Sequence, residues 1–461
     1  MNLFSSSRIL YPILLIEGFV SIGVEILTIR QLLPVAGGSV IVTSLIIGFF
    51  LLFLALGYQQ GGYRLENPLL YLRRNFFISA IWLGIGLSYS FVLVFFYLVQ
   101  KFTGPHILYP LILYLMVVIA PLIYLLGQTT PMTMNMIKQN ALAGRIGGKA
   151  LSLNTLGSFF GAVLSALVLM YYLGVAWTIL IHALLLLFLT ILLSPSRLSL
   201  AKSIFLAIGI IFGVYFINIK AEKNYFVFTN HYANYQILNA QNAPLHSGEK
   251  ILMINEAASS YTNDQKQGFP YVETIKKILF QDMKLRYANI LVLGAGGFSL
   301  SHESTYDNHF TYVDIDPQIK QAVIPRFTNA FNHEFIPDDA RHYLSVVKKK
   351  YAAIVLDAYS DIKAIPSHLI TYEFIQTIKM RLIPQGVAIF NVIASPTLSD
   401  PYSKHVDNTL RSVFKNCIAI PYTYSEKATN IVYVCSNSSN QSDQRIYTDN
   451  KNHSTTDSFY W

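Results

Sequence analysis

Mostly apolar runs near residues 9–33, 39–58, 76–99, 107–126, 151–173, 175–193 and 198–217 fill the first half of this chain. A bilayer core about 30 Å thick needs roughly 20 apolar residues as helix, and the runs meet that length. Backbone groups in lipid must be bonded within their own segment, which leaves helix as the form these runs can take. They predict an all-α transmembrane bundle of about seven helices over residues 1–220. Hydrophobic residues make up 53% of the chain and charged residues 13%, too apolar for a wholly soluble protein of this size. Most charges follow residue 217, so a globular part is expected after the bundle.

The first run carries Glu17, Glu25 and Arg30. Charges at membrane depth face a bundle interior or a water-filled cavity, which makes them a site hypothesis. The alternative stays open: Arg30 snorkels to the interface and Glu25 pairs with a neighbouring helix. Gly157, Gly161 and Ser165 recur every four residues and predict a face small enough for close helix contact. Gly144–Lys149 reads as a basic loop without chemistry of its own.

Lys and Arg are unevenly divided among the loops. Arg64, Arg73 and Arg74 fall between the second and third runs, Lys138, Arg145 and Lys149 between the fourth and fifth, and Arg197 and Lys202 between the sixth and seventh. The other loops are nearly free of them, so the positive-inside rule puts the N-terminus in the cytoplasm. Seven spans then leave the globular part outside, where a cytosolic nucleotide would not reach it. The expected location is the cell (inner) membrane, with the side of the globular part unresolved.

Ile290–Leu293 is a continuous apolar run, as in a strand buried on both faces. It breaks into Gly294, Gly296 and Gly297, which permit a tight turn and close approach of a nucleotide. A second apolar strand ends in Asp314, where a nucleotide-binding βαβ unit places the carboxylate that grips ribose hydroxyls. Ala352–Leu356 ends in Asp357, and Gly386–Asn391 follows a helix over Glu373–Leu382. Strands alternating with helices imply a doubly wound, mostly parallel sheet with its ligand beyond the strands' carboxyl ends. This Rossmann-like α/β domain is expected over residues 271–435. A small β-hairpin module over 221–270 precedes it, and a polar, disordered tail over 436–461 follows.

A formal charge of +9 suggests nucleic acid at first sight, but the basic residues are dispersed and no basic run with interleaved aromatics appears. Nucleic acid is therefore not an expected partner. Cys417 and Cys435 have no metal spacing and are expected to be ordinary residues rather than a disulfide. The first run is long and lacks a small-residue cleavage site, so a cleaved signal peptide is not expected.

Taken in order, several short motifs resemble the spermidine synthase, or polyamine aminopropyltransferase, family, and within it bacterial members with an N-terminal multi-pass membrane domain. In the globular part they are Tyr235-Gln236-Ile237, Tyr271-Val272-Glu273, Gly294-Ala295-Gly296-Gly297, Val313-Asp314-Ile315-Asp316, Asp338-Asp339-Ala340-Arg341, Asp357-Ala358-Tyr359-Ser360, Ile365 to Thr371, and Pro384-Gln385-Gly386-Val387. In the apolar part they are Glu25 to Arg30, Gly37-Gly38-Ser39, Gly127 to Pro131, and Asn154 to Gly157. The resemblance implies transfer of an aminopropyl group from decarboxylated S-adenosylmethionine to a small-molecule amine such as putrescine, releasing methylthioadenosine. Decarboxylated S-adenosylmethionine is then a cosubstrate, and no tightly bound cofactor or metal is expected. The lipid bilayer is an expected partner, and the resemblance leaves room for a homodimer.

Amines of this class titrate near ~10, and only the neutral form attacks carbon, so a base must take the proton. The resemblance assigns that catalytic role to Asp357; a helix N-cap or a surface acid is its plain alternative. By the same resemblance Asp314 holds the ribose with Gly294 and Gly296 beside it, Asp339 accepts from the adenine amino group, and Gln236 contacts the cosubstrate. Tyr271 lines the amine channel or is a core aromatic, and Asp361 stands one place beyond the family's second catalytic-loop acid, where Ser360 falls. The family's glycine-loop aspartate is replaced by Gly297 or Phe298, and the residue after the channel tyrosine is Val272 rather than glutamine. These departures bear on the acceptor and on discrimination against ordinary S-adenosylmethionine. The other readings are an S-adenosylmethionine-dependent methyltransferase and a non-catalytic polyamine or nucleoside sensor or transporter.

Overall fold

A computed structural model describes residues 7–104, 106–136, 143–301, 307–324, 326–328, 331–359 and 365–436. Two compact units divide them: the first holds the described residues up to Gln267 and those within 318–331, the second those within 268–317, 332–359 and 365–436. The polar tail and Asp361 lie outside the described residues.

The first unit opens with helices α1 (Ser7–Ala36), α2 (Val40–Gly62), α3 (Pro68–Gly86), α4 (Tyr89–Thr103), α5 (Leu108–Tyr114), α6 (Ala120–Gly127) and α7 (Thr129–Met136). It continues through α8 (Ala143–Leu164), α9 (Met170–Leu173), α10 (Val175–Leu192), α11 (Arg197–Val214) and α12 (Ala221–Tyr225). One-turn π segments at Leu115–Ile119, Ser165–Leu169 and Tyr215–Lys220 join α5 to α6, α8 to α9 and α11 to α12. By length and composition, six of the resulting helices can cross a membrane.

The expected third span, 76–99, is not one helix. α3 and α4 meet at 69°, because Leu87 ends one helix and Ser88 caps the next, its side chain accepting from the Phe91 amide at 3.3 Å. Gly144–Lys149, expected as a loop, lies within α8, and Arg73 and Arg74 fall inside α3.

The four-residue glycine spacing does its packing work. A Cβ on Gly157 would stand 2.0 Å from the Leu15 carbonyl oxygen, and one on Gly161 2.2 Å from that of Phe19. Gly157→Leu is therefore expected to lower stability by about 3 kcal/mol or more. Gly209→Leu, on α11 with nothing within 4 Å of its Cβ direction, is expected to leave it unchanged. Thermal aggregation midpoints in detergent compare the two.

Arg30 does not snorkel: it is buried and hydrogen-bonded within the first unit, while Glu17 takes a hydrogen bond from Asn154.

Strands β1 (Phe228–Thr229), β2 (Asn234–Asn239), β3 (Lys250–Ile254) and β4 (Ala257–Thr262) form an antiparallel sheet in that order. Asn255 and Glu256 make the two-residue turn between β3 and β4, both at positive φ (48° and 65°), as a hairpin matched to strand twist requires.

The second unit begins with α13 (Pro270–Lys276) and β5 (Asn289–Leu293), followed by β6 (His309–Asp314). α14 (Ile319–Val323) belongs to the first unit. The second resumes with β7 (Glu334–Pro337), α15 (Ala340–Val346), β8 (Tyr351–Leu356), α16 (Tyr372–Met380), β9 (Leu382–Ala394), α17 (Pro401–Val413), β10 (Asn416–Pro421) and β11 (Thr429–Ser436).

Its sheet is mixed, in the order β10-β11-β9-β8-β5-β6-β7; β5 to β9 are parallel, and β11 pairs antiparallel with both β9 and β10. Every residue of β8 is buried, the signature of a strand covered on both faces. Phe374, Ile375 and Ile378 of α16 and Leu410 of α17 join Leu291, Ile354 and Phe390 in one core. The order reverses at β5, whose neighbours are β6 on one side and β8 on the other. Ligands of such sheets bind in the crevice at that reversal.

Cys417 and Cys435 are bonded, contrary to expectation. They face each other directly across the β10–β11 pair, with Cα atoms 4.1 Å apart. That register depends on the hairpin between them, which cysteine spacing alone does not reveal.

Candidate active site

β5 stops at Leu293, and Gly294 turns the chain with φ at 98°. A Cβ there would stand 2.2 Å from the Asp357 carbonyl oxygen, so only glycine fits between the two strand ends. The Gly294 amide still donates to the Val313 carbonyl (2.8 Å), and the Asp357 amide to that of Leu293 (2.9 Å). The ladder therefore holds the turn and the acid on either side of the sheet's reversal.

Asp314 ends β6 and leans on the glycine loop. Its Oδ2 accepts from the Ala295 amide (2.8 Å) and its Oδ1 from the Asp316 amide (3.0 Å). Burial pushes its carboxyl up to about 6, against the pull of those two amides and with a smaller push from Asp316. Each oxygen keeps a lone pair for a further donor, as binding two ribose hydroxyls requires.

Asp357 stands just past β8. Its Oδ1 accepts from Asn391 Nδ2 (2.8 Å) and its Oδ2 from the Tyr271 hydroxyl (3.1 Å). Burial raises its carboxyl above the ordinary range, while the bonds from Asn391 and Tyr271 pull the other way. Burial, and then the neighbouring Asp357, lift the Tyr271 phenol well above its usual value, so it stays a neutral donor. A raised carboxylate held by two neutral donors suits a base that takes a proton from a cation. Tyr271 is thus bonded to the acid rather than being simply a core aromatic.

Asn391 was not singled out from the sequence as a site residue, nor was Tyr359. Asn391 is buried, its Oδ1 has no partner among the described residues, and it follows Phe390, the β9 residue paired with Leu356. A polar residue near the end of an apolar strand run, next to a strand ending in acid, is the signal that could have found it. The Tyr359 hydroxyl donates to the Asn391 carbonyl (2.8 Å) and accepts from the Ile393 amide (2.9 Å), tying the loop after β8 to β9.

Asp339 caps α15, accepting at Oδ1 from the Arg341 and His342 amides (2.9 Å each), and its Oδ2 lies 3.1 Å from His368 Nε2. Burial acts to raise this carboxyl, but the amides and His368 outweigh it and hold it below the usual range. Gly296 lies in the loop at φ 47°. Phe298 follows at φ 58°, buried with its ring edge-on to Tyr312 at 5.0 Å, so an apolar ring occupies the loop. Gln236 sits on β2 of the first unit, opposite Met253 on β3. Among the described residues no group of His, Cys, Asp or Glu is arranged to hold a metal ion.

No family model matches the chain. A polyamine aminopropyltransferase of Vibrio vulnificus is 34% identical over 160 residues, 33% of this chain and 51% of that protein. Polyamine aminopropyltransferase 2 of Hyperthermus butylicus is 33% identical over 144 residues, 29% of this chain and 46% of that protein. The chain thus spans about half the length of the curated relatives it matches. Among solved structures, a probable spermidine synthase from Corynebacterium glutamicum is similar, with a TM-score of 0.39 and 18% identity over 49% of this chain and 82% of that one.

Proposed function

We propose that this chain, related by sequence to the polyamine aminopropyltransferases, transfers an aminopropyl group from decarboxylated S-adenosylmethionine to a small amine at a membrane. The observation that carries the reading is Asp357, raised by burial and held by Tyr271 and Asn391, with its main chain against Gly294 of the glycine loop that also bonds the ribose-type acid Asp314. The amine reaches the site as a cation, attracted by the acids at the strand ends. Asp357 takes its proton, and the freed nitrogen lone pair attacks the carbon beside the sulfonium. A C–N bond forms as the C–S bond breaks, the electron pair staying on sulfur, which leaves as the neutral thioether methylthioadenosine. Tyr271 and Asn391 hold the base on the amine side and stabilise it while it is ionised. The apolar helices, by length and composition, support an anchor in the bilayer.

Purified full-length protein given the donor and a panel of di- and polyamines is expected to release methylthioadenosine in step with an aminopropylated amine, read by mass spectrometry. No product with any amine would sink the reading. One observation favours a second reading, methyl transfer from ordinary S-adenosylmethionine: Phe298 and Gly297 put no acid where a substrate carboxylate would be repelled. S-adenosylhomocysteine as product, in place of methylthioadenosine, would select it.

A further inference from the structure

The helical bundle has two distinguishable ends. At one end Arg30 on α1 donates from Nε to the Asn230 carbonyl (2.7 Å) and from a terminal nitrogen to Asn234 Oδ1 (2.6 Å), in and beside the β1–β4 sheet. Gln31 beside it bonds the Leu87 carbonyl after α3 (2.8 Å). Tyr89 donates to Glu256 in the β3–β4 turn and packs edge-on to Phe226 at 4.6 Å. The Ala176 amide after α9 bonds Glu222 of α12 (3.1 Å), which also accepts from Thr229 (3.0 Å). At the other end Lys149 lies 3.9 Å over the Tyr11 ring, Arg73 bonds Ser203 (2.7 Å), and Asn135 bonds the Gly62 carbonyl (3.1 Å).

The helix pairs also have direction. Gly157 and Gly161 meet Leu15 and Phe19 in that order, so α1 and α8 run parallel. Gly57 and Gly61 meet Tyr124 and Gln128, so α2 runs parallel with α6. Arg73 meets Ser203 and Gly84 meets Val214, so α3 runs parallel with α11.

α3 has 19 residues, about 28 Å of helix, a length sufficient for one crossing. Its Asn75 bonds Gln128 (3.1 Å) towards one end, and the Gly86 carbonyl takes the Tyr114 hydroxyl (2.7 Å) at the other. α4 departs at 69° from the end that carries the β sheet, so the bent pair counts once. With the six long helices the crossings are odd in number, and α1 begins at the end opposite the β sheet.

Arg64, Arg73, Arg74, Lys149, Arg197 and Lys202 fall at the end away from the β sheet. At the sheet's end stand Arg30, which is buried, and Lys101, which is exposed, with Lys220 and Lys223 near the end of the last helix. That bias marks the end away from the β sheet as cytoplasmic. The Cys417–Cys435 bond points the same way independently, because disulfides persist in oxidising compartments and are rare in the cytosol. Among the described residues no helix able to cross a membrane follows Tyr225, so the cysteines stay on the side where the chain leaves the bundle.

We propose that the nucleoside-binding domain works on the extracytoplasmic side, and that its sulfonium donor is delivered there from the cytosol by a carrier. The sidedness rests on the bundle and the disulfide; the donor's route rests also on the transfer reaction proposed above. A sulfonium nucleoside is a fixed cation with several hydroxyls, and burying these in hydrocarbon is too costly for unaided passage.

Two variants of the full chain, each adding one free cysteine beside the bonded pair, test the sidedness: Ser247→Cys in the exposed turn before β3, and Glu66→Cys in the exposed loop before α3. An impermeant maleimide applied to intact cells is expected to label Ser247→Cys alone, with both labelled after permeabilisation. Labelling of Glu66→Cys alone overturns the proposal. Should either variant fail to accumulate, alkaline phosphatase fused after Trp461 reports the same side: active as proposed, inactive otherwise. In right-side-out vesicles the wild-type chain is expected to form methylthioadenosine without delay from donor added outside, and from donor loaded inside only after a lag, as the carrier exports it; immediate product from inside donor with none from outside donor overturns it. Correct labelling with no product from either side rejects the transfer reaction and leaves the sidedness standing.

Discussion

Asp357→Asn is expected to lower methylthioadenosine release by about 10³-fold, within the range a positioned base contributes. The amide has the shape of the carboxyl, and Asn391 can still donate to its oxygen, so the loop after β8 keeps its place. Only the proton acceptor is gone. Removing a buried carboxylate also removes its desolvation cost, so the thermal midpoint is expected to stay level or rise. Methylthioadenosine affinity is expected to change by less than about ten-fold, because the ribose-type acid sits on another strand. The raised carboxyl also sets a direction for pH: the wild-type rate falls with acid as Asp357 gains its proton, and the residual rate of the variant lacks that limb. Single-turnover product formation beside binding calorimetry reads all of this, and an asparagine variant with full activity would remove Asp357 from the mechanism.

The second large effect is on binding. Asp314→Asn is expected to weaken methylthioadenosine by about 10²–10³-fold, since hydrogen bonds to a charged acceptor contribute roughly 1.5–3 kcal/mol each. The carboxyl titrates at about 6 in the fold against 3.8 ordinarily, so the folded chain holds this proton more tightly than the unfolded one. Protonation therefore stabilises the fold. That contribution is complete below the unfolded value, is lost as pH rises through about 6, and leaves a cost of about 3 kcal/mol above it. Ligand affinity runs the other way, because the ribose is gripped by the ionised form. Below about 6 the wild-type affinity is expected to fall about ten-fold per pH unit, and that of Asp314→Asn to stay flat. Calorimetric titrations between pH 4.5 and 7.5, taken as about one-unit steps, separate the two.

Both acids were legible in the sequence because each closes a largely apolar strand. Phe310–Val313 and Ala352–Leu356 are buried in the parallel part of the sheet, on either side of β5, so composition and burial agree and the residue after each run is easily found. What escaped depends on contacts between distant segments. Asn391 faces Asp357 only because β9 lies beside β8 in one particular register. The pairing of Cys417 with Cys435 depends on a hairpin register in the same way. The bend after α3 was hidden because Leu87 and Ser88 interrupt hydropathy too briefly to break a long apolar window. Composition leaves Arg30 open between a bundle interior and the interface, because its partners Asn230 and Asn234 lie two hundred residues away.

Gly294 leaves no clearance between the glycine turn and the main chain of Asp357. Neither segment can shift by even a methyl's width without displacing the other, so their spacing behaves as a fixed gauge rather than a hinge. Any bulkier residue at that turn would have to be matched by retreat of the acid, and the two positions are free to drift over evolutionary time only together.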